Sequence, residues 1–505
     1  MLGAVSTVTG FAVASQFIGF LRMAIIAYAF GLSTDVDAYY LGLAIPTLVI
    51  LVFSNWAQLS YLGRYTTLVV EDNQPLARAF RLTMLLLVAL LATLTCVLGF
   101  VFPEIPIQFF LNATATQEAA AIVAFQWTVL IIAPSVVADF MGQSLNGHRN
   151  FAVPAAAQLA NAVVATLALW LSPSKGIESL VGSLIFGALV QLAIVAVPFM
   201  RLRSRKDSGK WPHSLIKAEL RVVFRLTLYI VPAVILSNAV LSILQFNIAQ
   251  FGDGAVSTMG YANRINSAIG QLLVIGLGTV LLPHFAALIA KSELGATQYL
   301  FRRLVRGSIL VSSIVVALVF LIGESWLSIL LDRGAFDEAA VAAVHHLLVL
   351  LSFALLPMAI GTFIARYFSA LRRADFLLFS GLIAFVCVFV VAKVGAELGS
   401  IQNIALAPTV AFSATTVFWL WKLAQVFPLK PMLSDAIRAT LTSLALIATI
   451  SVLNYALFAY YPDLPEPVLT TLRTLALGTT LIFLLYASGT LRWVLEPYAN
   501  HINNP

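Results

Sequence analysis

Long apolar runs, broken at near-regular intervals by charge, glycine and proline, dominate this chain and define fourteen candidate spans. They lie near 4–30, 37–62, 80–103, 119–146, 151–172, 178–200, 222–250, 257–285, 305–331, 340–370, 375–396, 402–426, 434–460 and 467–491. Each is about as long as the roughly 20 apolar residues that a helix needs to cross a bilayer, and far longer than the roughly 10-residue alternating strands of a membrane barrel. The pattern predicts an all-α polytopic membrane protein, because a helix satisfies its own backbone hydrogen bonds in lipid.

The loops test the count, since Lys and Arg collect on the cytoplasmic side. Of 29 Lys and Arg residues, 20 fall after spans 2, 4, 6, 8, 10 and 12, among them Arg64, Arg81, Lys217, Arg302 and Arg306. The opposite loops carry only Lys175, Arg333, Lys393 and Arg473. This alternation places the even loops and both termini in the cytoplasm.

A basic, polar stretch over 201–221 reads as a linker between an N-lobe (1–200, spans 1–6) and a C-lobe (222–430, spans 7–12). Spans 13 and 14, with the tail (431–505), form an appendage. The lobes echo one another. Phe30-Gly31 precedes Tyr40 as Phe251-Gly252 precedes Tyr261, and Pro134 with Ser144 and Phe151 resembles Pro357 with Ser369 and Phe376. The paired spans run in the same direction, so the lobes are parallel repeats.

Composition sharpens the class. With 61% hydrophobic and 10% charged residues and a mean hydropathy of +0.96, the chain lacks the polar surface of a soluble enzyme. The net charge of +7 is accounted for by cytoplasmic loops, so no nucleic-acid partner is expected. Cys96 and Cys387 lie in apolar runs and offer neither a disulfide framework nor a metal motif. The first run lacks a basic leader and carries Arg22 within it, unlike a cleavable signal peptide. Adjacent His345 and His346 point about 100° apart on a helix and are poor joint ligands. No phosphate loop, HExxH or GxSxG is present, so neither a cofactor nor catalysis is expected, and the longest outer loop (103–118) is short for a glycosyltransferase. Translocation is the better expectation. The sequon at Asn112-Ala113-Thr114 is short enough to occur by chance.

Charges inside spans cost roughly 2.5–3.5 kcal/mol each at a helix centre, so the survivors are functional candidates. Arg22 in span 1 and Arg264 in span 8, beside Asn263 and Asn266, are expected to face a cavity. Asp139 in span 4 has two readings, an ion pair with Arg22 or a coupling-ion site. Glu324 reads as interfacial, and Arg366 as snorkelling to the cytoplasmic surface. Asp35 and Asp37 open span 2, where a carboxylate suits a helix N-terminus. Pro46, Pro134, Pro232 and Pro357 point to bendable helices, and Ala152, Ala156 and Ala160 form a small-residue stripe for close packing.

Gly19-Phe20-Leu21-Arg22, Ala29-Phe30-Gly31, Thr34, Asp37-Ala38-Tyr39-Tyr40 and Ile45-Pro46 resemble the opening of the MurJ/MviN lipid II flippases, within the multidrug/oligosaccharidyl-lipid/polysaccharide exporter superfamily. Pro232-Ala233, Met259-Gly260-Tyr261-Ala262-Asn263-Arg264 and Gly276-Leu277-Gly278-Thr279-Val280-Leu281-Leu282-Pro283 match better still. The resemblance implies two lobes around a cationic cavity in the bacterial cytoplasmic membrane, alternately open to each side. Spans 13 and 14 would help form a groove for a polyprenyl tail. Arg22, Asn263 and Arg264 would serve as cavity residues and Asp37 as a sensitive aspartate. Guanidinium groups suit a lipid-linked pyrophosphate, which they grip through paired, charge-assisted hydrogen bonds. Gln16, Ile50, Leu51 and Asn55-Trp56 depart from the family pattern and make the cavity less cationic.

The expected cargo is a polyprenyl-pyrophosphate-linked saccharide, either lipid II or an undecaprenyl-linked exopolysaccharide or O-antigen unit. A cation-coupled drug extruder and a non-transporting scaffold for cell-wall or polysaccharide synthesis proteins are the alternatives.

Overall fold

The computed structural model describes residues 2–71, 74–110, 115–172, 176–202, 213–291, 293–371, 373–460 and 466–487. The sequon at 112–114 and linker residues 203–212 lie outside the described residues. Among the described residues the regular structure is helical, apart from one isolated bridge between Arg333 and Phe336.

Each of the fourteen spans has its helix. Spans 1 to 7 are Leu2–Phe30, Thr34–Val70, Gln74–Val101, Ala115–Gly147, Ala152–Trp170, Ile177–Arg201 and His213–Phe251. Spans 8 to 14 are Ala255–Ala290, Leu294–Leu331, Glu338–Ala370, Ala374–Glu397, Ile401–Ala424, Lys430–Tyr460 and Glu466–Ala487. Span 2 carries a π-helical turn at Ala57–Tyr61, a local widening that recurs at functional sites.

Several helices outrun their apolar cores at the basic ends. Span 9 starts at Leu294 rather than near 305, and span 7 at His213 rather than near 222. Arg64, Lys217, Arg302 and Arg306, expected in loops, are therefore helical. Hydropathy marks the part of a helix that lies in hydrocarbon, whereas the backbone ladder continues through the polar headgroup region.

The chain forms two compact units, Met1–Gly260 with Ala392–Ile404, and Tyr261–Val391 with Ala405–Pro505. The division falls within the span 8 helix. Span 7 groups with the first unit, and spans 13 and 14 with the second.

Matched positions of the sequence repeat behave alike in their local backbone. Gly31 and Gly252 both adopt positive φ, at 60° and 97°, where a side chain is strained. Span 4 passes through a 3-10 turn at Val129–Ile131 just ahead of Pro134. Span 10 bends by 41° between Ser352 and Leu355 just ahead of Pro357. Proline supplies no N–H to the turn before it, which is where both helices break.

Close packing in the first unit depends on missing side chains. A Cβ on Gly42 of span 2 would sit 2.7 Å from Ala124 Cβ and 2.8 Å from the backbone of span 4. Thr128 Oγ1 donates to Gly42 O at 2.7 Å across the same contact. Because the obstacle includes backbone, Gly42→Ala is expected to cost about 1–3 kcal/mol, the usual range for overpacking, read as a lower unfolding midpoint. On span 5 the buried face runs through Ala157 and Ala165, one position on from the expected stripe, and Ala152 is exposed. Gly187 of span 6 approaches Asn161 and Ala165 on that face.

In the second unit, Phe285, Phe301, Phe363, Tyr367, Phe368 and Trp419 form an aromatic core that gathers spans 8, 9, 10 and 12. Arg302 and Arg306 of span 9 share the carboxylate of Asp435, which fixes span 13 to it.

Candidate functional site

Arg22 and Asp139, two intramembrane charges of the first unit, are held by neutral groups. Arg22, half-buried, donates from Nη1 to Ala165 O at 2.9 Å and from Nη2 to Leu180 O at 3.0 Å and Ser183 Oγ at 3.1 Å. Span 1 is thereby tied to spans 5 and 6 through carbonyls that a helix leaves only weakly available, a use the sequence reading missed.

Asp139 makes no ion pair with Arg22, which corrects the first of its two readings. Its Oδ2 accepts from the Ser54 hydroxyl, and its Oδ1 from Gln191 Nε2 at 3.1 Å. Gln191 Oε1 in turn accepts from Asn161 Nδ2 at 2.7 Å. Ser54 of span 2 and Gln191 of span 6 thus donate to the one carboxylate, and Asn161 of span 5 fixes the orientation of the Gln191 amide. Beside it opens a cavity of about 320 Å³ walled by Gln58, Gln143, Asn146, Gln158 and the ring of Phe151. Ser54, Asn161 and Gln191 carried a usable signal, as polar residues within apolar runs, but a search for charge passes over them.

Asp37 is 2% exposed and does not cap its own helix. Its two oxygens accept the backbone N–H groups of Gly254 and Ser257, each at 2.6 Å, at the start of the span 8 helix. The capping expected at the start of span 2 is replaced by one at the start of span 8, and none of these contacts exposes Asp37 to a cargo. Asp35, by contrast, is exposed.

Asn263 and Arg264 lie in the second unit, on the span 8 helix, with Asn263 half-buried and Arg264 exposed. Among the described residues Arg264 has no ion pair. Glu324 faces His345 Nδ1 at 3.7 Å, and His345 Nε2 lies 2.9 Å from Val319 O, so spans 9 and 10 meet there. His346 is exposed on a different face. Among the described residues no three His, Cys, Asp or Glu side chains converge as metal ligands.

Basic residues at these helix ends mostly serve packing. Arg64 forms a two-point pair with Glu219, its Nη2 donating to Oε1 at 2.7 Å. Arg81 lies over the Phe199 ring at 4.9 Å and donates to Leu202 O at 2.9 Å. His148, whose Nε2 is 2.9 Å from the Tyr65 hydroxyl, is held below the usual imidazole pKa by burial and then by Arg81.

Comparison with known proteins gives these features a family. The model of the lipid II flippase MurJ family matches residues 26–465. A probable lipid II flippase MurJ of Rhizobium meliloti (strain 1021) is 25% identical over 389 residues, 75% of this chain and 72% of that protein. The lipid II flippase MurJ of Burkholderia cenocepacia is 26% identical over 380 residues, 68% of each. A solved structure of lipid II flippase MurJ in an inward closed conformation superposes with a TM-score of 0.75 at 18% identity, over 96% of this chain and 99% of that one. An inward-facing multidrug resistance transporter of the MATE family gives a TM-score of 0.66 at 12% identity, over 81% and 94%. The fold is shared with both, and the family model, spanning most of the sequence from the end of span 1 to the loop before span 14, decides between them: the chain belongs to the lipid II flippase MurJ family.

Proposed function

We propose that the chain carries a polyprenyl-pyrophosphate-linked saccharide, lipid II or a similar cell-wall precursor, across the cytoplasmic membrane by alternating access. The six-span lobes at 1–200 and 222–430 would be its moving parts. Family membership supports the reading, and the observation that carries it is Arg264, an exposed cation on a helix with no other Lys, Arg, Asp or Glu and with no ion pair among the described residues. A fixed guanidinium without a counter-charge is costly in a membrane protein unless an anion visits it, and a pyrophosphate is such an anion. Asn263 adds an amide beside it.

Arg22 has a narrower part in this proposal. Three of its five N–H donors are used on span 5 and span 6 acceptors, leaving Nε and one Nη1 hydrogen for an anion. Arg264→Ala is expected to fold normally and to slow translocation by about 10- to 100-fold, the equivalent of one charge-assisted hydrogen-bonding group. The test is growth of a flippase-depleted bacterium, with lipid II accessibility at the outer face as the direct readout. Full activity of Arg264→Ala would overturn the assignment. Arg264→Lys should restore part of the rate, because it keeps the charge and loses the fork.

A further inference from the structure

The Asp139 cavity has a use that the proposed cargo does not explain. Its walls contain no Lys, Arg or His, so it offers a pyrophosphate no counter-charge. It offers a cation a great deal. Asp139 supplies one negative charge, and the facing groups from spans 2, 4, 5 and 6 are neutral: Ser54, Gln58, Gln143, Asn146, Gln158 and Gln191. No other titratable side chain lines the cavity. Arg22, an intramembrane cation of the same unit that could have balanced it, donates instead to the carbonyls of Ala165 and Leu180.

Neutral donors reduce the cost of a buried carboxylate but do not remove its charge. The polarity of the network is also fixed. Asn161 donates to Gln191, so Gln191 must turn its NH2 toward Asp139, while the Ser54 hydroxyl can reverse by rotating its hydrogen. A proton arriving on Oδ2 is thus accommodated by one rotor, and a sodium ion would find the carboxylate, the Ser54 oxygen and amide oxygens of the wall. The π-helical turn at Ala57–Tyr61 widens span 2 where Gln58 enters this wall. Asn146 and Phe151 flank the C-terminal end of span 4, so the cavity reaches that end of the helix.

We infer that Asp139 and this cavity form a binding site for a single monovalent cation, a proton or sodium, distinct from the Arg264 anion site. Binding exchanges the buried negative charge for a neutral pair, and so gives the first unit two states that an ion gradient can bias.

The test uses the full chain in lipid nanodiscs and needs no transport assay. Unfolding midpoints are measured in sodium chloride against choline chloride at equal ionic strength, over a pH series, for wild type and Asp139→Asn. A ligand bound only to the native state raises the midpoint in proportion to the logarithm of its concentration. For a sodium site, wild type gains stability with sodium at mildly alkaline pH and releases about one proton per chain when sodium is added to the protonated form. For a proton site, wild type responds to pH more steeply than Asp139→Asn, and sodium has no effect. Asp139→Asn loses whichever response wild type shows. Should that variant fail to fold, Ser54→Ala and Gln191→Leu are expected to shift the half-saturating sodium concentration or the midpoint of the pH response. Identical sodium and pH profiles in wild type and Asp139→Asn, or in the two supporting variants where the first does not fold, would overturn the inference.

Discussion

Replacing Asp435 with alanine is expected to destabilise the second unit by about 3–5 kcal/mol, the cost of removing one partner from a buried ion pair. Asp435 holds Arg302 and Arg306 of span 9, with Arg306 Nη2 at 2.8 Å. The Arg306 side chain is only 3% exposed and Asp435 9%, so water does not replace the lost carboxylate. The pair is not an efficient source of stability in itself, since desolvating three charged groups offsets most of their attraction. Its consequence is positional, because a guanidinium on span 9 can be buried only where span 13 brings Asp435. Two comparisons separate these effects by denaturant or thermal unfolding of the full chain. Asp435→Asn keeps the shape and loses the charge, and should fall nearly as far as alanine. The triple variant Arg302→Met, Arg306→Met and Asp435→Leu should recover most of the loss. If the single and triple variants prove equally unstable, packing rather than charge joins these two spans.

The succession of long apolar helices was legible because lipid imposes a length on apolar runs and because charge, glycine and proline punctuate them. Both rules act locally along the chain. What escaped were relations across long sequence separations, in which polar groups choose partners that no local pattern names. Asp139 meets Gln191 across 52 residues and Ser54 across 85, and Asp37 meets Ser257 across 220. Arg22 shows the same limit. Its cost in an apolar span was readable, but two backbone carbonyls and a serine are as good a remedy as an open cavity, and only coordinates distinguish them. Helix ends were lost for a different reason. Arg302 and Arg306 look like loop residues to hydropathy, yet they continue the span 9 ladder and turn inward to Asp435.

Asp37→Ala is expected to cost about 2–4 kcal/mol, because it strands the backbone N–H groups of Gly254 and Ser257, each a buried donor worth about 1–3 kcal/mol when left unpaired. Both bonds are 2.6 Å, and a carboxylate facing a helix N-terminus also gains from the aligned peptide dipoles. Gly254 at φ +84° leaves the turn little freedom to find substitutes, and a water molecule has scant access to a side chain 2% exposed. Asp37→Asn retains one carbonyl acceptor and should lose roughly half as much. Exposed Asp35→Ala provides the control and should stay within about 0.5 kcal/mol of wild type. Unfolding measurements on these variants, set beside their translocation rates, decide what the aspartate does. A cap predicts that stability and transport fall together in the order asparagine, then alanine. A cargo contact predicts that Asp37→Asn keeps its unfolding midpoint while transport fails, and that outcome would return Asp37 to the substrate path.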